Sequence, residues 1–573
     1  MDTQRKPKVL IASNPVIAKL KEPDREVRLF VSNLLQYEVP AAQHMKGKGG
    51  GWDGFASLYD MKTNTFPTGF VTMVAKRLRS AGYVVRLGQR EAPPPLGCES
   101  PKVDEFAPDA RYDYQDEVTR RLMHFKRGIA QVATGGGKSR IFKLCAERLD
   151  RPTMFLTTRK SLMYQMMEAY EKDIGKKFGV LGDGNWSPYY GGVNFAIVDT
   201  LTSRLDIKSE RDELKRLENK FVEKVTAEVV KQLKKAGLPT DLRNIDHLVS
   251  SEKADDIRRR VKVIRRKVVE KMQFDKDAAV SNIKTKIAKQ EAKRAEAIEF
   301  LSKMEFVCLE EAHEVSGNGF YEILRHCPNA HYRLALTATP FMKDSQEANM
   351  RLMASTGIVF IKVTEKDLIE KGILAKPYFK YAKPEMPMML TSRTQFQPAY
   401  RLGITENESR NEIIVKEVLR AKRHSLPVMI LVTHTNHGKK IEAMIAEKGV
   451  NVTFIAGADN QKSRQAGLTQ LGSGELDVLI GTSIMDVGVD VPAVGLVILA
   501  GGGKAEVATR QRIGRGLRAK KVGPNVCFIL DFEDGRNKHL LKHATERRNI
   551  VAKTPGFSEG IQSDFPYHLY GEK

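Results

Sequence analysis

Cysteine is scarce in this 573-residue chain and never forms a CxxC pair: Cys98, Cys145, Cys308, Cys327 and Cys527 are scattered along it. That spacing argues against a disulfide framework and against zinc ligation. Two of the five sit in strand-like apolar runs, and all read as reduced, buried thiols. A long uninterrupted apolar run and a secretory start are also missing, which points away from a membrane and toward a soluble, cytoplasmic protein (host cytoplasm for a phage-encoded chain). Acidic residues are in deficit, since 94 Lys and Arg stand against 70 Asp and Glu, for a formal charge of +24 and a pI of about 9.6. Charge alone decides nothing, but this balance suits a binder of phosphate backbones. The length exceeds what one core usually covers, so three or more units are expected.

Glycine, by contrast, is concentrated where it has a use. Thr134-Gly135-Gly136-Gly137-Lys138-Ser139 follows an apolar run over 128–133 and precedes Ile141, Leu144 and Leu149 at helical spacing, so a strand turns into a helix there. In that setting the glycines let backbone N–H groups close around a β-phosphate, Lys138 neutralises the β/γ oxygens, and the Ser139 hydroxyl reaches Mg²⁺. A flexible glycine turn ending in Lys-Ser is the alternative, and Val132 stands where the generic pattern has Gly or Ala.

Further on, Phe306-Val307-Cys308-Leu309-Glu310-Glu311-Ala312-His313 reads as a buried strand ending in two carboxylates and a histidine. At the carboxyl end of a parallel strand such carboxylates face a ligand crevice. One can hold Mg²⁺ through its waters, and the next can polarise an attacking water. An isolated Glu-Glu pair is more often a solvated turn, but the four apolar residues before it and the glycine loop upstream reverse that preference. Leu334 to Pro340 is another strand, running into Thr337 and Thr339, and Gln511-Arg512-Ile513-Gly514-Arg515-Gly516-Leu517-Arg518 reads as an arginine finger.

In this order the segments resemble motifs I, II, III and VI of superfamily 2 helicases of the DExH group. Tyr114-Gln115 resembles the upstream glutamine element that contacts adenine, and Phe155-Leu156-Thr157-Thr158-Arg159 resembles motif Ia. Residues 193–205 are a weaker match to motif Ib, residues 428–434 look like motif IV, and residues 481–492 look like motif V. The resemblance implies an α/β fold of two tandem RecA-like domains with parallel sheets, with ATP and Mg²⁺ in the cleft between them and nucleic acid across their top. Carried over by residue, it gives Gln115, Thr134, Gly135, Gly136, Gly137, Lys138, Ser139, Gly488 and Asp490 to ATP, and Ser139 and Glu310 to the metal. Glu311 becomes the base, Arg515 and Arg518 reach the γ-phosphate, and His313 and Gln511 couple hydrolysis to the strand-binding surface. Thr158, Arg159, Thr433 and Thr482 are the DNA contacts. Glu310 departs from the family's usual Asp, and its extra methylene moves the carboxylate outward by about one bond, against the strict geometry of Mg²⁺.

The expected organisation has four parts. Residues 1–108 form a small α+β amino-terminal unit closed by the linker Ala92-Pro93-Pro94-Pro95. Its basic glycine-rich loop with Lys46, Lys48 and Trp52 resembles the amino-terminal domain of phage UvsW-type helicases. Either it contacts DNA, or Trp52 is a core anchor. Residues 109–377 form the first RecA-like domain, interrupted over 207–303 by a charged, antiparallel helical arm with apolar residues at helical spacing. Arg258-Arg259-Arg260 makes the arm's second half basic, for a duplex arm, a protein partner or simply solvent. Residues 378–552 form the second RecA-like domain, where Ile404 to Asn411 also resembles UvsW and XPB-like motors, and 553–573 read as a tail. The resemblance implies a monomeric ATP-dependent DNA helicase or translocase acting on branched DNA. An RNA helicase and an ATP-gated clamp without productive hydrolysis are the alternatives. His313 and Thr337-Ala338-Thr339 differ from the usual RNA-enzyme pattern.

Overall fold

Runs of Val, Ile, Leu and Phe bounded by Gly, Pro or Asp become strands, and the charged amphipathic stretches between them become helices. The computed structural model describes residues 8–39, 54–104, 109–207, 209–243, 249–312, 318–341, 345–456, 461–482, 494–503, 513–514, 517–520 and 523–570.

At the amino end, β1 (Lys8–Ser13) and β2 (Ile17–Lys21) make a hairpin, β3 (Gln36–Glu38) and β4 (Phe55–Ser57) a second small pair, and β5 (Thr65–Pro67) and β6 (Val84–Gln89) complete a sheet of order β5-β2-β1-β6. Alternation in β1 and β2 sends Val9, Ile11, Ala18 and Leu20 to one buried face, where the helices Arg25–Leu34 and Val71–Ser80 cover them. Ala354, Met350 and Met353 share this cluster, and a Cβ on Gly69 would lie 2.0 Å from the Met353 carbonyl oxygen. The unit is therefore seated directly on the helix Gln346–Thr356 of the domain that follows it. Its expected linker is not free either: Tyr332 donates to the Pro93 carbonyl at 2.8 Å and Arg151 to the Pro94 carbonyl at 2.8 Å.

The first large sheet comprises β7 (Arg127–Val132), β8 (Thr153–Thr157), β9 (Gly179–Gly182), β10 (Asn185–Ser187), β11 (Val193–Ile197), β12 (Phe306–Glu310), β13 (Tyr332–Thr337) and β14 (Val359–Val363). Their order is β10-β9-β11-β8-β12-β13-β7-β14, parallel except for β10 against β9. The second comprises β15 (Lys376–Ala382), β16 (Val428–Val432), β17 (Val452–Ile455), β18 (Val478–Thr482), β19 (Leu496–Ile498) and β20 (Val526–Phe532), all parallel in the order β15-β20-β19-β16-β18-β17. Every residue of β12, β13, β16, β18 and β20 is buried, as continuous apolar strands covered on both faces must be. Two RecA-like parallel-sheet domains result, and within each sheet the parallel strands deliver their carboxyl ends to one edge.

Residues 199–301 form a separate compact unit. Its two long helices are Glu210–Lys235, capped by Ser209 and ended before Gly237, and a 53-residue helix Ser251–Lys303 that runs through its end. Val229 and Leu233 of the first pack with Val261 and Val268 of the second, and Lys276 lies 4.9 Å over the Phe221 ring, so the two run antiparallel.

Two readings need correction. Cys98 is exposed, whereas Cys145, Cys308, Cys327 and Cys527 are buried, and burial pushes the Cys145 thiol up to about 12. The stretch after residue 553 is no loose tail: Phe557, Phe565 and Tyr567 are buried, and Gln562 donates its backbone N–H to the Phe379 carbonyl at 2.8 Å. Aromatics spaced through a polar stretch found the open flank of the second sheet, which the sequence pattern does not display.

Candidate active site

The glycine loop leaves β7 and enters the helix Lys138–Leu149. Gly135 and Gly137 adopt φ of 89° and 73°, the left-handed region that favours glycine. Neighbours close the loop from three sides. A Cβ would meet Leu374 at 2.7 Å from Gly135, Val132 at 2.5 Å from Gly136, and the Gln115 amide at 2.4 Å from Gly137. Behind it, the Tyr114 hydroxyl donates to the Gly136 carbonyl at 2.7 Å and Gln115 Nε2 to the same oxygen at 3.2 Å. Arg140 Nη1 donates to Gln115 Oε1 at 2.8 Å, and Arg140 Nε to Asp104 at 2.7 Å. Burial pushes the Tyr114 hydroxyl up to about 12, so it remains a donor. Gln115 is buried with both ends of its amide engaged, and it braces the loop. An adenine contact would require one of those bonds to be exchanged.

Lys138 Nζ lies 3.3 Å from Glu311 Oε1, with both side chains largely enclosed. Burial opposes the lysine's charge, but the attraction of Glu311 and Glu310 and the hydrogen bond with Glu311 together hold its pKa above the ordinary value. Glu310 ends β12 and is buried. Glu311 follows with φ of 46°, a left-handed conformation that costs a non-glycine residue about 1–2 kcal/mol. This strained step turns successive side chains away from strand alternation, so both carboxylates stand beside Lys138. Ser139 is exposed on the first turn of the helix. A largely enclosed lysine, a glycine cradle, a pair of acids and a hydroxyl on the first helical turn match the donor set that a nucleoside triphosphate with Mg²⁺ requires, because Mg²⁺ takes its oxygens from phosphates and waters as much as from protein.

The other domain closes the loop. Arg518 Nη1 donates to the Gly135 carbonyl at 3.2 Å, Leu517 accepts from Ala375 N at 2.7 Å, and a Cβ on Gly514 would lie 2.9 Å from Thr134. Ile513 and Leu517 are buried. The described part of the arginine-rich segment thus sits directly on the loop.

Type III restriction enzyme, res subunit, is the family description matched over residues 110–342, and the helicase conserved C-terminal domain is matched over 409–520. The two occupy the two parallel-sheet domains in turn. The chain carries these two helicase-type domains in tandem, and in sequence it is similar to helicases of the UvsW type. It is 24% identical over 267 residues to putative helicase 22 of Sulfolobus islandicus filamentous virus, covering 44% of this chain and 46% of the relative. Against the ATP-dependent DNA helicase uvsW of Enterobacteria phage T4 it is 23% identical over 284 residues, covering 45% and 56%. The matched segments therefore span about half the length of these curated relatives. The crystal structure of T4 UvsW aligns over 95% of this chain and 97% of its own at 15% identity, with a TM-score of 0.41.

Of the remaining candidates, Thr158 and Arg159 follow β8, Thr433 follows β16 with its hydroxyl 3.2 Å from the Gly501 carbonyl, and Thr482 ends β18, all at strand carboxyl ends. Lys46, Lys48, Trp52, His313, Gly488, Asp490, Gln511 and Arg515 lie outside the described residues. No described helix is long and apolar enough to cross a membrane.

Arg140 and Asp104 behind the loop belong to none of the sequence motifs, and neither do Asp531, Asp534 and Arg547 of a buried charge cluster in the second domain. There Arg547 Nε bonds Asp531 at 3.0 Å, Arg410 pairs with Asp534, and the Arg410 guanidinium lies 3.7 Å over the Phe532 ring. A signal was present: Asp531 interrupts the apolar run of β20, and a buried acid needs a partner.

Proposed function

We propose that this chain is an ATP-hydrolysing motor that translocates on DNA and remodels branched structures by fork regression, branch migration or unwinding. The observation that carries the reading is the bond from Arg518 to the Gly135 carbonyl, because a cleft whose loop belongs to one domain and whose arginine belongs to the next couples nucleotide to domain closure. In this reading Lys138 and the loop N–H groups hold the phosphates, with Ser139 and Glu310 toward Mg²⁺, which neutralises charge on the transferring phosphoryl group. Glu311 releases Lys138 to the phosphate and takes a proton from the attacking water. Arg518 and Arg515 stabilise charge at the γ-phosphate on closure, and His313 and Gln511 relay the change to the strand surface. Thr158, Arg159, Thr433 and Thr482, at strand carboxyl ends, contact the backbone. Lys46, Lys48 and Trp52 add a branch-binding surface, and the unit 199–301 offers a second surface to a duplex arm or a protein.

ATP turnover measured with single strands, blunt duplex, forks, four-way junctions and RNA at one salt concentration tests the proposal. Fixed salt matters because backbone affinity falls steeply with ionic strength. Greatest stimulation by branched DNA supports it. Greatest stimulation by RNA would replace DNA as the substrate, and strand binding without turnover would leave a clamp.

A further inference from the structure

A pocket of about 560 Å³ opens on the second parallel-sheet domain between residues 396–405 and the helix Thr435–Ala446, and Tyr400, Arg401, His434, Asn436, His437 and Lys440 line it. It holds none of the residues that face the glycine loop. The Tyr400 and His434 rings meet edge to face with centroids 5.0 Å apart. Tyr400 donates its hydroxyl to the Gly501 carbonyl, and Thr433, just past β16, donates to the same oxygen at 3.2 Å. The pocket wall is therefore continuous with the carboxyl edge of the sheet. One side, Arg401–Thr405, is wound as a π-helix, a rare geometry that is frequent at functional sites.

Its chemistry is specific. The Arg401 side chain is 64% exposed and only loosely paired, 3.7 Å from Glu406, so it is available to a second anion. His437 is 1% exposed, with Nε2 3.0 Å from Asn411 Oδ1. Asn411 donates through Nδ2 to the Thr405 carbonyl at 3.3 Å, so its Oδ1 must accept and the imidazole proton sits on Nε2. Nδ1 is then an acceptor, and it has no hydrogen-bond partner among the described residues. Burial, with Arg410 nearby, holds the ring down to about 3, so protonation at neutral pH does not relieve it. A buried acceptor of this kind calls for a donor.

An aromatic wall, two cations and one bare acceptor match a nucleotide unit. We propose that this pocket receives one nucleotide of the strand lying along the sheet edge, its base against Tyr400 and His434, its phosphate toward Arg401 and Lys440, and a base amino group donating to His437 Nδ1. The proposal rests on the reading of the chain as a nucleic-acid motor. A free mononucleotide carries the same chemistry and is the rival source.

The test uses the full chain and a single-stranded DNA oligonucleotide carrying 2-aminopurine, titrated at several salt concentrations, with 2′-deoxyadenosine 5′-monophosphate as competitor and thermal midpoints as the folding control. His434→Ala, and Asn436→Trp, which fills the pocket, should each weaken strand binding roughly tenfold. Arg401→Ala should lower the salt slope by about 0.7 for one lost phosphate contact, and it serves if the filled variant does not fold. The monophosphate should not displace the strand. Unchanged affinity and slope in folded variants, beside normal binding by the parent protein, would overturn the pocket alone. Displacement by the monophosphate at concentrations comparable to the oligonucleotide would overturn the strand assignment in favour of a free-nucleotide site. No strand binding by the parent protein would remove the motor reading, and this proposal with it.

Discussion

Lys138 Nζ and Glu311 Oε1 lie 3.3 Å apart, so the cation of the glycine loop is neutralised by the same carboxylate that is proposed as the base. A phosphate entering the loop competes with Glu311 for the lysine, and the displaced carboxylate becomes available to water. Glu311→Gln should therefore retain ATP binding and lose turnover, whereas Lys138→Ala should lose both. Equilibrium binding of a fluorescent ATP analogue, alongside single-turnover hydrolysis, checks this. Undiminished hydrolysis in Glu311→Gln would remove Glu311 as the base.

Arg518 reaches the loop from the other domain, and its charge should matter most in the transition state. Arg518→Ala should lower kcat by roughly 10³-fold with nucleotide still bound. Measuring kcat and nucleotide affinity together separates this from a merely structural role, which would change both.

Glu310 tests the metal geometry. Glu310→Asp should preserve or raise turnover, and Glu310→Ala should remove most of it at every Mg²⁺ concentration. A fully active Glu310→Ala protein would show that the metal is held elsewhere.

Gly137 and Gln115 should be energetically coupled, since a Cβ at position 137 would sit 2.4 Å from the Gln115 amide nitrogen. Gly137→Ala should weaken ATP binding through both this clash and its φ of 73°. Adding Gln115→Ala should recover the clash part and leave the backbone part of about 1–2 kcal/mol. Additive losses in the double-mutant cycle would show that the amide swings away freely.

His437 makes the second domain acid-sensitive. Its folded pKa is held down to about 3 by burial, against an ordinary 6.5. The unfolded chain therefore takes up a proton that the folded one refuses. Stability is fully present above pH 6.5 and falls as pH drops from there toward 3, by about 1.4 kcal/mol per pH unit from this group. Urea midpoints at pH 7, 6 and 5 should fall less in His437→Gln, which can still donate to Asn411. Parallel declines in the two proteins would contradict the assignment.

Several elements follow from local pattern alone. The apolar run before Thr134 and the helical spacing after Ser139 specify a strand, a turn and a helix. The buried strand ending at Glu310 was legible in the same way, and so was the charged arm, whose apolar residues recur at helical spacing on either side of Gly237. Which distant side chains meet follows instead from the three-dimensional packing. That Arg140 holds Gln115, that Arg518 lands on Gly135 across 383 positions, and that Phe565 and Tyr567 close the second sheet depend on strand order and domain contact. The pocket beside His437 belongs to the same class, since Asn411, Tyr400 and Gly501 come from separate segments. A one-dimensional pattern reports which face of an element is apolar. It carries no record of which other element covers that face, because packing depends on summed shape and burial over the whole chain rather than on any local period.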